Sequence, residues 1–230
     1  MLATEKINQF YGGSHILWDI DLDVPKGGCV CVMGRNGVGK TTLLKVIMGL
    51  LPAKSGKISF DGIELTGNPP EARARAGIGY VPQGREVFPT LTVEENLRIG
   101  ALGRSSGGGK IPERVFKLFP VLKDMLRRRG GDLSGGQQQQ LAMGRALALE
   151  PKLLILDEPG EGIQPNVVHE IGNVITQLNE EGVTVLLVEQ KLPFARRVAR
   201  TFRILERGHV VAGGEIAELT DDLVHRHLTV

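Results

Sequence analysis

The sequence predicts an α/β fold: a core of mostly parallel sheet with flanking helices, an antiparallel β portion near the N-terminus and an inserted helical stretch. Three observations carry this. Short apolar runs, "CVCVM" at 29–33, "LLIL" at 153–156 and "VTVLLV" at 183–188, read as buried strands. After about residue 150 such runs alternate with helical patterns, which implies a parallel sheet covered by helices. The first run leads straight into a glycine-rich loop and then a helix.

The elements follow in order. "ATEKINQFYGG" is a strand ending in a turn. In "ILWDIDLDV", Leu17, Ile20, Leu22 and Val24 fall on a mostly period-two pattern, as a half-buried strand requires. "KGG" marks the next turn. In "CVCVM", Cys29 and Cys31 lie two apart and share one face, and they read as buried free thiols, too few to hold a metal. "TTLLKVIMGLL" has helical spacing and closes at Pro52. "KISFDGIEL" is a hairpin turning at Asp61-Gly62, and "GIGYVPQ" is a short strand.

From about 90 to 150 the pattern turns helical. Thr92 and Glu95 form a capping box, and "PERVFKLFPVLKDMLRRR" reads as a helix. "GRSSGGGK" (103–110) has no strand leading into it and reads as a surface loop. Beyond "KLLILDEP", a helix from Pro165 to Glu181, the strand "VTVLLVEQ", another helix and a hairpin in "FRILERGHVVAGG" complete the chain.

Composition narrows the function. The 230 residues are 41% hydrophobic and 23% charged, the balance of a soluble globular protein. A net charge of +2 and 4% aromatics give no footprint or stacking platform for nucleic acid. The thiol usage fits a cytoplasmic setting. "MLATEKINQF" lacks the charge and apolar pattern of a signal peptide, and no run approaches the ~18 apolar residues of a membrane span.

"GRNGVGKTT" (34–42) matches G-x-x-x-x-G-K-[ST] between a strand and a helix. Gly34, Gly37 and Gly39 let the backbone turn its N–H groups inward around phosphate oxygens; Arg35, Asn36, Val38 and Thr42 complete the loop. Lys40 is placed to reach the β- and γ-phosphates and Thr41 to offer a hydroxyl to Mg²⁺. Asp157 ends the run "LLIL", where an acid can hold the Mg²⁺ shell, and Glu158 can accept a proton from an attacking water. No N-K-x-D segment supports guanine, so ATP is the expected nucleotide.

"LSGGQQQQLAMGRALALEP" supplies a second anion site. Ser134 is an N-cap with Gln137 three residues on, and Gly135 and Gly136 bare the first-turn N–H groups to a ligand.

"GRNGVGKTT", "LSGGQ" and "LLILDEP", in that order, resemble the ATP-binding cassette (ABC) ATPases, over essentially the whole chain 1–230. That resemblance implies a head-to-tail pair of cassettes, homologous or identical, in which Ser134 and Gly136 contact ATP held by the partner. It makes Tyr11 the aromatic that stacks on adenine and Gln83 the glutamine joining the Mg²⁺ and water site to a membrane partner. It makes residues of about 84–150 the helical subdomain that receives a permease, with a solute-binding protein further out. It places the chain on the cytoplasmic face of the inner membrane.

Two positions depart from the family pattern. Gln190 in "LLVEQK" stands where a histidine is usual; an amide can donate to the γ-phosphate but carries no charge. Gln164 in "DEPGEGIQP" stands where an aspartate is usual, and Gly160 lacks the Thr or Ser hydroxyl common there. "VEQ" and the "GIQP" loop resemble the branched-chain amino acid importer group. Within it "LSGGQQQQLA" and "EGIQP" look most like the ATPase of urea and short-chain amide importers. The other readings are a branched-chain amino acid importer, a soluble ABC protein acting on DNA or ribosomes, and a regulatory cassette that binds ATP without hydrolysis; intact Lys40, Asp157 and Glu158 argue against the last.

Overall fold

A computed structural model describes residues 1–104 and 109–228. Two sheets organise them. The first is antiparallel, ordered β2-β1-β4-β5 and built from β1 (Leu2–Tyr11), β2 (Ser14–Val24), β4 (Ser55–Phe60) and β5 (Ile63–Glu64). The second, ordered β10-β9-β3-β8-β7-β6, contains β3 (Cys29–Met33), β6 (Ile78–Val81), β7 (Leu153–Asp157), β8 (Thr184–Val188), β9 (Thr201–Glu206) and β10 (His209–Glu215). In it β6, β7, β8, β3 and β9 run parallel, and only β10 is antiparallel. This is the P-loop ATPase architecture the sequence predicts.

The apolar runs explain the layering. All five residues of β3, β7 and β8 are buried. Alternate side chains go to opposite faces. Cys29, Cys31, Leu154, Leu156, Val185 and Leu187 enter a core with the helices α3 (Val93–Leu102), α6 (Gly135–Leu147), α7 (Pro165–Glu180) and α8 (Leu192–Val198). Val30, Val32, Leu153, Ile155, Leu186 and Val188 enter another with α1 (Lys40–Ile47) and the antiparallel sheet. Cys29 and Cys31 are free and buried, and burial pushes the Cys29 thiol up to about 12, so both are unreactive at neutral pH.

In β2 the four expected core residues are buried, and a bulge at Asp19 (φ 45°) absorbs the three-residue step from Leu17 to Ile20. Asp61 and Gly62, both at positive φ, close the β4–β5 hairpin between Phe60 and Ile63.

Two expectations need correction. The helix after the phosphate loop does not run to Pro52. Gly49, at φ 72°, ends α1: its N–H bonds the Val46 carbonyl and Leu50 N–H bonds the Lys45 carbonyl, a Schellman close. "PERVFKLFPVLKDMLRRR" is two short helices, α4 (Glu113–Leu118) and α5 (Pro120–Asp124), because Pro120 cannot continue the ladder and pushes Phe119 out of helical geometry. Residues 105–108 of the expected loop "GRSSGGGK" lie outside the described residues.

Candidate active site

Four neighbouring parallel strands, β3, β8, β7 and β6, end on one edge of the sheet. Each delivers part of the site from its carboxyl end, the usual place for ligands in such sheets. β3 gives the phosphate loop, β8 gives Gln190, β7 gives Asp157 and Glu158, and β6 leads to Gln83.

The loop turns back tightly on the core. A Cβ at Gly34 would lie 2.4 Å from the Leu205 carbonyl oxygen, and one at Gly39 would lie 2.9 Å from the Leu17 side chain. Gly37 (φ 79°) and Gly39 (φ 108°) hold conformations that other residues rarely adopt. Arg35, Asn36 and Gly37 are exposed, Val38 and Thr41 are half-buried, and Lys40 and Thr42 are buried. Lys40 Nζ donates to the carbonyls of Gly34 (2.8 Å) and Arg35 (2.9 Å) and lies 3.6 Å from Glu158 Oε1.

Asp157 is 1% exposed, and neither carboxylate oxygen has a hydrogen-bond partner. Burial pushes its carboxyl up to about 6. The Thr41 hydroxyl, too poorly placed for a full hydrogen bond, favours the charged form, Glu158 opposes it, and Lys40 favours it again. A buried anion with two orphaned oxygens beside a threonine fits a cation that brings its remaining ligands from water and phosphate. Among the described residues no group of three or more His, Cys, Asp and Glu could hold a metal.

Glu158 sits at φ 47° with a side chain 10% exposed. The Gln190 amide donates to its Oε1 and, at 2.6 Å, to Asn36 Oδ1. The Gln83 amide approaches Oε2 at 3.5 Å and donates at 2.9 Å to Glu161. Lys40, Gln190 and Gln83 thus converge on one carboxylate.

A cavity of about 330 Å³ opens beside these groups, lined by Tyr11, Ile16, the phosphate loop, Gln83 and Glu158. Tyr11 is 47% exposed at the β1–β2 turn, available to stack on a base. Gln190 does not line this cavity; its N–H groups are turned to Asn36 and Glu158.

The signature residues form as the sequence predicts. Ser134 accepts from Gln137 N–H at 3.3 Å, and the Gln137 side chain accepts from Ser134 N–H at 2.9 Å, with Gly135 opening α6. Ser134 is exposed, and Gly135, Gly136 and Gln137 are half-buried. None of the four lines the cavity.

The ABC transporter family model matches residues 17–161. The chain belongs to the ABC transporter family. It is 44% identical to the high-affinity branched-chain amino acid transport ATP-binding protein BraG of Pseudomonas aeruginosa, over 92% of this chain and 91% of that protein. It is 39% identical to the probable branched-chain amino acid transport ATP-binding protein LivF of Archaeoglobus fulgidus, over 96% and 94%. Among solved structures, the ADP conformation of an ABC transporter cassette superposes with a TM-score of 0.80 at 30% identity, covering 98% of each chain. A dimeric cassette in a post-hydrolysis state with ADP and Pi superposes with a TM-score of 0.84 at 25% identity, over 94% of this chain and 99% of that one. This chain is therefore an ABC ATPase cassette.

Sequence reasoning missed Glu189, Lys191, Glu161 and Arg85. Glu189 is 3% exposed at the end of β8, as Asp157 is at the end of β7. An acid directly after an all-apolar run was the signal in both cases. Arg85 leaves no such mark: its guanidinium reaches Gln138, Glu161 and Gly162 only through the fold.

Proposed function

We propose that this chain is the ATP-hydrolysing subunit of an ABC importer, a single cassette over 1–230 with a helical subdomain at about 84–150. The convergence of Lys40, Gln83 and Gln190 on Glu158 beside the orphaned Asp157 carries this reading. ATP would lie along the cavity, with Tyr11 against adenine and the loop N–H groups of residues 34–42 on phosphate. Thr41, Asp157 and Gln83 would hold Mg²⁺, which would supply neutralisation of phosphate charge. Phosphate oxygens replace the Gly34 and Arg35 carbonyls on Lys40. Glu158 takes a proton from the attacking water, the new P–O bond forms, and the bond from the γ-phosphorus to the bridging oxygen breaks to release ADP. Gln190 holds Glu158 in line beside the γ-phosphate.

The site needs a second cassette, homologous or identical, whose Ser134, Gly135, Gly136 and Gln137 equivalents would close over the phosphates. The dimeric relative with ADP and Pi supports that arrangement. Among the described residues no helix is long and apolar enough to cross a membrane. As an importer ATPase subunit the chain would sit peripherally, on the cytoplasmic face, against permease subunits fed by a solute-binding protein.

For cargo, "LSGGQQQQLA" and "EGIQP" favour urea or short-chain amides. The 44% relative named for branched-chain amino acid transport favours those amino acids as a second reading. Deleting the gene and measuring uptake of labelled urea, acetamide and leucine separates them. Loss of urea and acetamide uptake with leucine retained is expected; loss of leucine uptake alone moves the chain to the second reading.

A further inference from the structure

The turn that carries Gln190 is held by groups to which neither the motifs nor the mechanism gives a role. Glu189 is buried at the end of β8, and its backbone N–H reaches the Val32 carbonyl of the phosphate-loop strand at 3.2 Å. Its Oε2 accepts from the backbone N–H of Gln190 at 2.8 Å and of Lys191 at 2.9 Å. One carboxylate oxygen therefore fixes two successive peptide units, those on either side of the Gln190 side chain. Lys191 Nζ then crosses to the Gly160 carbonyl at 2.9 Å, in the loop that follows Glu158. Burying a carboxylate carries a desolvation penalty, and a turn alone could have been closed by a serine or asparagine. Charge-assisted bonds are the stronger choice where geometry must not drift.

Gly160 fits the same account. A Cβ there would lie 3.3 Å from Glu189 Oε1 and 3.5 Å from the Val168 side chain. A hydroxyl at 160, usual in the family the sequence resembles, would thus be within reach of the free Glu189 oxygen. In this chain the turn and the Glu158 loop are joined without it, by Lys191.

We propose that Glu189 is a positioning residue: it holds the Gln190 turn, and through Lys191 the Glu158 loop, so that the Gln190 amide stays on the Glu158 carboxylate. This rests on the reading that Glu158 and Gln190 serve hydrolysis. A loose turn would misplace Gln190 without touching the adenine or phosphate contacts. The effect belongs in kcat rather than in nucleotide binding.

The test is ATP turnover of the assembled transporter, copurified through a tag on this chain. Glu189→Ala is expected to lower kcat about tenfold or more, with KM for ATP within about twofold. Glu189→Gln, whose amide oxygen can still accept from both N–H groups, is expected to recover most of that loss. Lys191→Ala is expected to lower kcat by a smaller factor, and it reads the same device should Glu189→Ala fail to assemble. A Glu189→Ala transporter with unchanged kcat, or a loss that Glu189→Gln does not relieve, overturns the proposal. Glu158→Gln and Gln190→Ala are measured beside it. If they keep turnover, the reading of the site fails; if they lose it while Glu189→Ala does not, only the role of Glu189 fails.

Discussion

At Asp157 folding and ligand binding pull in opposite directions. Burial raises its carboxyl from 3.8 to about 6, so the fold favours the protonated form. A raised acid stabilises the folded chain below its unfolded pKa, and that contribution is lost as pH rises through the folded pKa. Without nucleotide the chain should therefore lose up to about 3 kcal/mol between pH ~4 and pH ~6 from this group. Asp157→Asn should melt several degrees above the parent at pH 7.5 in nucleotide-free buffer, with the gap closing toward pH 4; calorimetry across that range checks it. The same variant should lose Mg²⁺-dependent turnover. In the parent, kcat/KM should fall below about pH 6 as Asp157 protonates, and the fall should survive replacement of each of the five histidines, none of which lines the cavity. An acid limb that vanishes with one histidine contradicts this and reopens the position of Gln190. Glu158→Gln removes the ion-pair partner of Lys40 but keeps the Lys40 side chain in the loop, so ATP binding should persist while kcat falls by about 10²–10⁴. Equilibrium binding and phosphate release measure the two separately. Lys40, Asp157 and Glu158 were legible because strand, loop and acid follow one another in the chain. Glu189 carries the same mark of an acid after an apolar run, but its role was not legible, because its partners are backbone N–H groups that no side-chain pattern reports.

Among the elements, α6 bears both chemistry and packing. Its start was legible from Ser134 and Gln137, since a capping box is written in adjacent residues. Its packing was not. A Cβ on Gly100 of α3 would lie 1.9 Å from the Arg145 carbonyl oxygen, so the two helices touch backbone to backbone there. Gly100→Ala gains helix propensity of about 1 kcal/mol but must push α3 off α6, at about 1–3 kcal/mol and with no flexible side chain to yield. The net effect should be a lower urea midpoint with the slope unchanged. Ser134→Ala should lower stability by only about 1 kcal/mol through the lost cap, while turnover falls far more than that destabilisation explains. Parallel measurement of melting and ATPase rate separates the two, and a variant that keeps its turnover would remove Ser134 from the site. The helix ends show the limit of pattern reading. Pro52 looked like the stop for α1, yet Gly49 comes first and its positive φ ends the helix. Pro120 broke an apolar period that otherwise ran on for eighteen residues, 112–129.

Over the whole molecule, the order β3-β8-β7-β6 sets residues 34–42, 190, 157–158 and 83 side by side though they are scattered through the chain. A parallel sheet was legible from alternating apolar runs; its strand order was not, because buried all-apolar strands carry no face or partner preference. The same topology leaves the signature away from the cavity: α6 packs on α3 and on the far face of the sheet, and no residue of 134–137 lines the phosphate site. A phosphate loop with one exposed flank and a helix start whose first turn is two glycines are complementary halves of the proposed site. Joining them head to tail uses both on two chains at once and closes after two copies. Turnover should then follow the population of pairs rather than of chains. Per-chain ATPase rate should rise with cassette concentration and saturate, and it should rise at lower concentration once the true partner cassette and permease are added. Stopped assays over a wide dilution range measure this. A per-chain rate independent of dilution, for a preparation shown monomeric by light scattering, would mean that one chain carries a complete site, and the pairing drawn from Ser134 and Gly136 would have to be given up.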